Sequence, residues 1–350
     1  MSNQPLRLEQ YGAVLYNANL NPMGVPDSVI KALGNNLDAV IRYPEDYHSN
    51  LKSSIANYTG CEPNHIILAN GSSHLLHKFI RTIAPKKAMI LTPTFSEYEK
   101  VLKIYGCEVC FYQLDESKNY EFDLMDFVTK LDSSIDMIII NNPNNPTSQI
   151  ISRDDLDTLA EVCKELEAFL VVDEMYIEFT EDYDNLTCVP LVKNYDNLVI
   201  LRSISKFFAV PGLRLGYAII SNQTYIDKMN ALTELGGVSS LTAAACTQMF
   251  KDKEYIIKSR LQIHTERSLI YSAMSTSKKV QLFKPYANFM LVKLLDENVT
   301  ADKVAENCNL KGIVIRNCEN IKGLSNKYIR FCFMKPEQND LLVNTILELV

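Results

Sequence analysis

Residues 137–176 read MIIINNPNNPTSQIISRDDLDTLAEVCKELEAFLVVDEMY, and their pattern decides the fold. The run 137–140 is wholly apolar, as a strand buried on both faces must be, and it stops at a loop of asparagines and prolines. From Arg153 to Leu166 the apolar residues Leu156, Leu159, Ala160 and Cys163 return at intervals of three and four among charges, which predicts an amphipathic helix. The run 169–172 is a second buried strand, and it delivers Asp173 at its end. Strand, helix, strand in that order implies parallel strands with helices laid over the sheet.

Working outward, similar short apolar runs bounded by turn residues lie at 66–68, 88–91, 109–112, 198–201 and 216–220, with helical patterns at 73–83 and 96–105 between several of them. The expected fold class is therefore α/β with a mostly parallel central sheet. After Ile220 the pattern turns helical, at 223–235 and 241–274, and short strands return at 288–293, 312–315 and 328–333 before a closing helix from Pro336. A chain of 350 residues is longer than a single core usually supports. The expected division is a large domain over 40–275, including a helical connector at 223–275, and a smaller α+β domain built from 1–39 and 276–350.

Composition narrows the function classes. The formal charge is -7 and the basic residues are scattered, so no broad cationic face is offered to nucleic acid. No run approaches the ~18 apolar residues of a membrane span, and the first residues lack a signal core, so a cytoplasmic protein is expected. The nine cysteines fall in core-like segments and read as packing thiols. Cys107 and Cys110 form a CxxC within an alternating strand pattern, without a second Cys or His pair at metal spacing, so no metal is expected. No GxGxxG follows any strand, which argues against a dinucleotide-binding dehydrogenase.

Four polar features fall at strand ends, where open α/β sheets bind ligands. Asn70-Gly71-Ser72-Ser73 opens a helix, and reads either as a cap or as a phosphate cradle at the positive helix end. Asn141-Asn142-Pro143-Asn144-Asn145-Pro146-Thr147 is a turn by its prolines, yet its carboxamides could also hydrogen-bond a ring oxygen. Asp173, in Val172-Asp173-Glu174-Met175-Tyr176, is costly to bury unless it meets a cation; a pyridinium nitrogen is one, a helix cap or salt bridge the alternative. Ser203-Ile204-Ser205-Lys206, with Arg214 in Pro211-Gly212-Leu213-Arg214-Leu215-Gly216-Tyr217, offers an amine, hydroxyls and a guanidinium together.

In this order and spacing the four features resemble aminotransferase class I/II, the fold type I enzymes that depend on pyridoxal 5'-phosphate, nearest the histidinol-phosphate aminotransferase and threonine-phosphate decarboxylase subgroup. The likeness runs from about Asn17 to the C-terminus. It implies that Lys206 holds the cofactor as a Schiff base and later carries protons. Asp173 would pair with the ring nitrogen, while Asn145 and Tyr176 would bond the phenolic oxygen. Ser72, Ser73, Ser203, Ser205 and Arg214 would hold the phosphate. Phe95, in Pro93-Thr94-Phe95-Ser96-Glu97-Tyr98, would stack on the ring, with Tyr98 as the other candidate. Tyr43, in Arg42-Tyr43-Pro44-Glu45, would cross a homodimer interface to the neighbouring phosphate. Arg330 would bind the substrate α-carboxylate, and Arg316 a substrate phosphate, with a surface salt bridge as the plainer reading of Arg316.

The chain departs from the family pattern at three places: Ser148 replaces a glycine after Asn-Pro-Thr, His74 stands at an often acidic position, and 237–240 lacks a common asparagine. The functional expectation is a PLP-dependent aminotransferase of amino-acid metabolism, acting on a small amino acid that can carry a phosphate and on a 2-oxo acid. The alternative is a PLP-dependent decarboxylase of an O-phospho amino acid. A non-catalytic PLP-fold binding protein ranks below both, since lysine, acid and arginines are all in place and the residues before Asn17 are too few for a DNA-binding extension.

Overall fold

The structure is a computed structural model and describes residues 12–45, 48–232 and 237–349. The thirteen strands among the described residues are numbered in chain order. Those of the central sheet are β2 (Ile66–Ala69), β3 (Lys87–Thr92), β4 (Glu108–Gln113), β5 (Met137–Asn141), β6 (Phe169–Asp173), β7 (Leu198–Ser203) and β8 (Gly216–Ile219). They lie in the order β2-β8-β7-β6-β5-β3-β4, with β8 antiparallel to both its neighbours and the remaining contacts parallel. The expected α/β sheet is thus present.

The runs 137–140, 169–172 and 198–201 of its central strands β5, β6 and β7 are apolar because both faces are covered, whereas the edge strand β4 leaves Glu108 and Gln113 exposed. Ile138, Ile140, Leu170, Val172, Leu198 and Ile200 enter one core, while their alternates Met137, Ile139, Phe169, Val171, Val199 and Leu201 enter the other. Each such side chain contributes about 1.5–3 kcal/mol by leaving water. The helix Arg153–Glu165 buries Leu156, Leu159, Ala160 and Cys163, and Ser152 caps it by accepting the Asp155 N–H at 3.0 Å.

The second sheet is antiparallel, β12-β13-β10-β9, made of β9 (Val280–Leu282), β10 (Phe289–Leu294), β12 (Arg316–Asn317) and β13 (Tyr328–Cys332). The strand expected at 312–315 is shorter, and a further strand follows it after a break at Ile315. β11 (Ile313–Val314) pairs in parallel with β1 (Val14–Leu15), and the chain then turns so that Arg316 begins β12 beside β13. A second correction concerns 241–274, which forms two helices, Ser240–Met249 and Lys253–Ser275. Asp252 interrupts them by accepting the Tyr255 N–H at 3.1 Å, an N-cap that the apolar periodicity hid. The predicted helix at 223–235 is described only to Leu232, its helical part being Gln223–Ala231.

All nine cysteines are free thiols, seven of them buried. Among the described residues no group of His, Cys, Asp and Glu could hold a metal, and no helix is long and apolar enough to cross a membrane.

Candidate active site

The carboxyl ends of β5, β6 and β7 and the second sheet enclose a cleft of about 380 Å³, lined by Asn145, Asp173, Tyr176, Lys206, Arg316 and Arg330, with Phe95 and Tyr98 at one side. Seven of the residues singled out in the sequence therefore meet there, together with Tyr98. They meet because parallel strands place their polar terminal residues side by side.

Lys206 donates from Nζ to the Ala18 carbonyl at 2.7 Å. Burial, then the positive charges of Arg330 and Arg214, bring its pKa down to about 8. Asp173 is almost fully buried. Its Oδ2 accepts the Tyr98 hydroxyl at 2.7 Å and its Oδ1 the Met175 N–H at 3.0 Å. Burial raises its pKa to about 6, against the opposing pull of those two hydrogen bonds. Tyr176 receives Asn19 Nδ2 on its hydroxyl at 3.3 Å and packs edge-on to Phe289, with centroids 4.8 Å apart.

The asparagine loop divides its labour. Asn141 donates to the Asp173 carbonyl and accepts the Asn145 N–H, both at 2.9 Å. Asn142 both donates to and accepts from the backbone of Ile151, and Asn144 is held by Pro93 and Thr94. Asn145 is the one that meets an arginine: its Oδ1 accepts Arg330 Nη1, while Arg330 Nη2 donates to the Asn17 carbonyl at 2.8 Å. Arg316 lies directly opposite Arg330 across the β12–β13 ladder and donates to Asn320. It is not held by a carboxylate, so the surface salt-bridge reading is not what the described residues show.

The remaining candidates form a neighbouring group. Gly71 precedes the helix Ser72–Ile83, whose first turn has no side-chain cap among the described residues, and Arg214 reaches that turn. A Cβ on Gly71 would lie 2.4 Å from Arg214 Nη2, and one on Gly216 would lie 2.5 Å from the Ser72 nitrogen. Ser203 and Ser205 share a hydroxyl hydrogen bond of 2.9 Å just before Lys206. Ser73 and Arg214 are exposed. Tyr43 does not reach the cleft of its own chain. It is 96% exposed, beside a separate hollow of about 720 Å³ between the helices Asp27–Asn35 and Ser240–Met249.

These residues fit pyridoxal phosphate. An uncapped helix end with two glycines, hydroxyls and a guanidinium suits a phosphate dianion. Beside it stand a buried carboxylate that touches no cation among the described residues, an aromatic face at Phe95, and an amine of lowered pKa. Arg330 Nε, Asn17 Oδ1 and Asn19 Oδ1, on residues that line the cleft, are buried without a partner among the described residues.

Sequence reasoning missed the site roles of Asn17 to Asn19, which come from far along the chain, the hydroxyl role of Tyr98, and Arg202. Arg202 is fully buried one residue before Ser203. It bonds Glu174 through Nε at 3.0 Å and Nη2 at 2.6 Å, and Glu178 at 3.2 Å, so it ties the strand of Asp173 to the strand leading to Lys206. Only the bare pairing of an arginine and a glutamate at neighbouring strand ends could have hinted at it. The family departures are also accounted for in part. Ser148 holds a left-handed backbone, φ 61°, that a glycine would favour, and its hydroxyl accepts the N–H groups of Tyr286 and Ala287 at 3.1 and 2.8 Å. His74 is exposed.

The family model "Aminotransferase class I and II" matches residues 13–346. A putative threonine-phosphate decarboxylase of Caldanaerobacter subterraneus is 34% identical over 94% of this chain and 88% of that protein. The threonine-phosphate decarboxylase of Salmonella typhimurium is 30% identical over the same shares. The crystal structure of the histidinol-phosphate aminotransferase from Clostridium acetobutylicum superposes with a TM-score of 0.89 at 31% identity, covering 96% of this chain and 98% of that one. The chain thus belongs to the aminotransferase class I and II family, in the subgroup of histidinol-phosphate aminotransferase and threonine-phosphate decarboxylase, and membership implies pyridoxal phosphate as its cofactor.

Proposed function

We propose that the chain is a pyridoxal-phosphate-dependent decarboxylase of a small O-phospho amino acid. The observation that carries the substrate class is the pair Arg316 and Arg330, set opposite each other on adjacent strands over the cleft that holds Lys206. Two guanidiniums suit a substrate with two anionic groups, a carboxylate and a phosphate. The two full-length relatives named as threonine-phosphate decarboxylases support CO2 as the leaving group. The sequence alone puts transamination first; these relatives reverse that order.

In this reading Ser72, Ser73, Ser203, Ser205 and Arg214 hold the cofactor phosphate, and Phe95 packs on the ring. Asp173 pairs with the ring nitrogen, and Asn145 and Tyr176 meet the phenolic oxygen. The bound cofactor supplies an electron sink at the substrate Cα. Arg330, anchored on Asn145 and Asn17, orients the α-carboxylate, and Arg316 receives the phosphate. The carboxylate leaves as CO2 with its bonding pair left behind, and Lys206 Nζ delivers the proton that takes its place on Cα. A pKa of about 8 lets that amine hold and give up a proton near neutral pH.

Tyr43 completes the phosphate site of a second copy in a homodimer. Its exposure, beside exposed Val40 and Ile41, supports this, since such side chains are costly to leave in water.

Transamination of a phosphorylated amino acid is the second reading, supported by the Clostridium aminotransferase likeness. The test is a panel of amino acids and their O-phospho forms, with CO2, oxo acid and cofactor absorbance followed together. CO2 release with the cofactor regenerated supports decarboxylation. Formation of an oxo acid with pyridoxamine phosphate replaces it by transamination, and no turnover of any phospho form refutes the assigned substrate class.

A further inference from the structure

The carboxylate of Asp173 is buried where no lysine or arginine touches it among the described residues; two neutral donors hold it instead. One is the Met175 N–H, fixed by the backbone. The other, the hydroxyl of Tyr98, arrives from the start of the helix Glu97–Ile104, seventy-five residues away in sequence. Tyr98 is 1% exposed, and among the described residues its hydroxyl donates to this carboxylate. The same ring stands edge-on to Phe95, with centroids 5.6 Å apart and planes at 84°. One buried side chain therefore touches both the acid and the aromatic face of the cleft.

We infer that Tyr98 is a positioning residue for the cofactor, holding Asp173 in the rotamer that faces the ring nitrogen and holding Phe95 at its stacking angle; this rests on the reading of the cleft as a pyridoxal phosphate site. The chemistry favours a phenol for the task. A hydroxyl orients a carboxylate without neutralising it, whereas a lysine or arginine there would compete with the protonated ring nitrogen for the same charge. Burial, reinforced by the adjacent Asp173, pushes the Tyr98 pKa far up, so the phenol stays protonated and acts as donor. The hydrogen bond favours the ionised form of Asp173 and so opposes the burial that would protonate it.

Tyr98→Phe separates the two duties, since it keeps the edge-on packing and removes only the hydroxyl. The dissociation constant for pyridoxal phosphate should rise roughly tenfold or more in a protein that still folds, with its thermal stability lowered because the buried carboxylate loses a donor. The induced circular dichroism of the bound cofactor should change with it, because the acid that fixes the ring is loosened. In an Asp173→Asn background the same substitution should alter affinity less than about twofold, as a residue acting through Asp173 requires. Unchanged affinity and dichroism in Tyr98→Phe, or an equal loss in both backgrounds, would overturn the assignment. Failure of Tyr98→Phe to fold would make the hydroxyl a structural group and overturn it too. If the unaltered protein binds no pyridoxal phosphate, the reading of the whole cleft fails, an outcome distinct from binding that Tyr98→Phe leaves untouched.

Discussion

Lys206 should be far more nucleophilic at neutral pH than any ordinary lysine of the chain. Burial, Arg330 and Arg214 together place its pKa near 8. At pH 7.5 about a quarter of such amines are neutral, against about one in a thousand at the usual lysine pKa of ~10.4, a gain of roughly two hundredfold in reactive amine. The assay is competitive acylation of the cofactor-free protein between pH 6 and 11, read peptide by peptide by mass spectrometry, with exposed lysines of the same digest as internal reference. The labelling rate of Lys206 should level off above pH 8 to 9, while rates of the reference lysines go on rising. Arg330→Met should move the Lys206 midpoint upward, because it removes the largest repelling charge acting on that amine. A Lys206 rate that keeps climbing to pH 10 would refute the argument, and with it the idea that the cleft prepares this amine before any cofactor enters.

Four further outcomes follow from the same geometry. Asp173 is held in a site that raises its pKa from 3.8 to about 6, so the fold prefers its neutral form and loses stability as pH rises from about 4 to 6. Asp173→Asn should therefore stabilise the cofactor-free protein at pH 7 by about 2–3 kcal/mol, with no gain below pH 4, in urea unfolding followed across pH. Arg202→Met leaves Glu174 and Glu178 buried without their cation and should cost about 3–5 kcal/mol; a loss under 1 kcal/mol in the same measurement would show that the ion pairs do not support the fold. Gly216→Ala drives a methyl against backbone at 2.5–2.6 Å and should weaken cofactor binding by displacing the Ser72 turn, seen as a raised dissociation constant. Gly71→Ala meets mainly the mobile end of Arg214 but adds left-handed strain at φ 94°, and should also weaken it.

Much of this protein is local and therefore legible in its residues. The runs 137–140, 169–172 and 198–201 are unbroken and apolar, because a sheet covered on both faces buries their side chains in two cores. Asp173 and Lys206 could be singled out because polar residues ending such runs must emerge at the edge of the sheet. What the residues could not tell is which partners those edges would meet. Four asparagines crowd the end of β5 and the loop after it, yet only the packing decides that Asn141, Asn142 and Asn144 bind backbone or neighbouring loop residues while Asn145 turns to Arg330. Asn17 to Asn19 reach the cleft only because β1 pairs with β11, and Arg316 faces Arg330 only through the register of β12 on β13. Periodicity and capping depend on neighbours a few positions away; these contacts join residues up to three hundred positions apart, and the free energy that selects them is the burial of whole surfaces, which no short window of sequence contains.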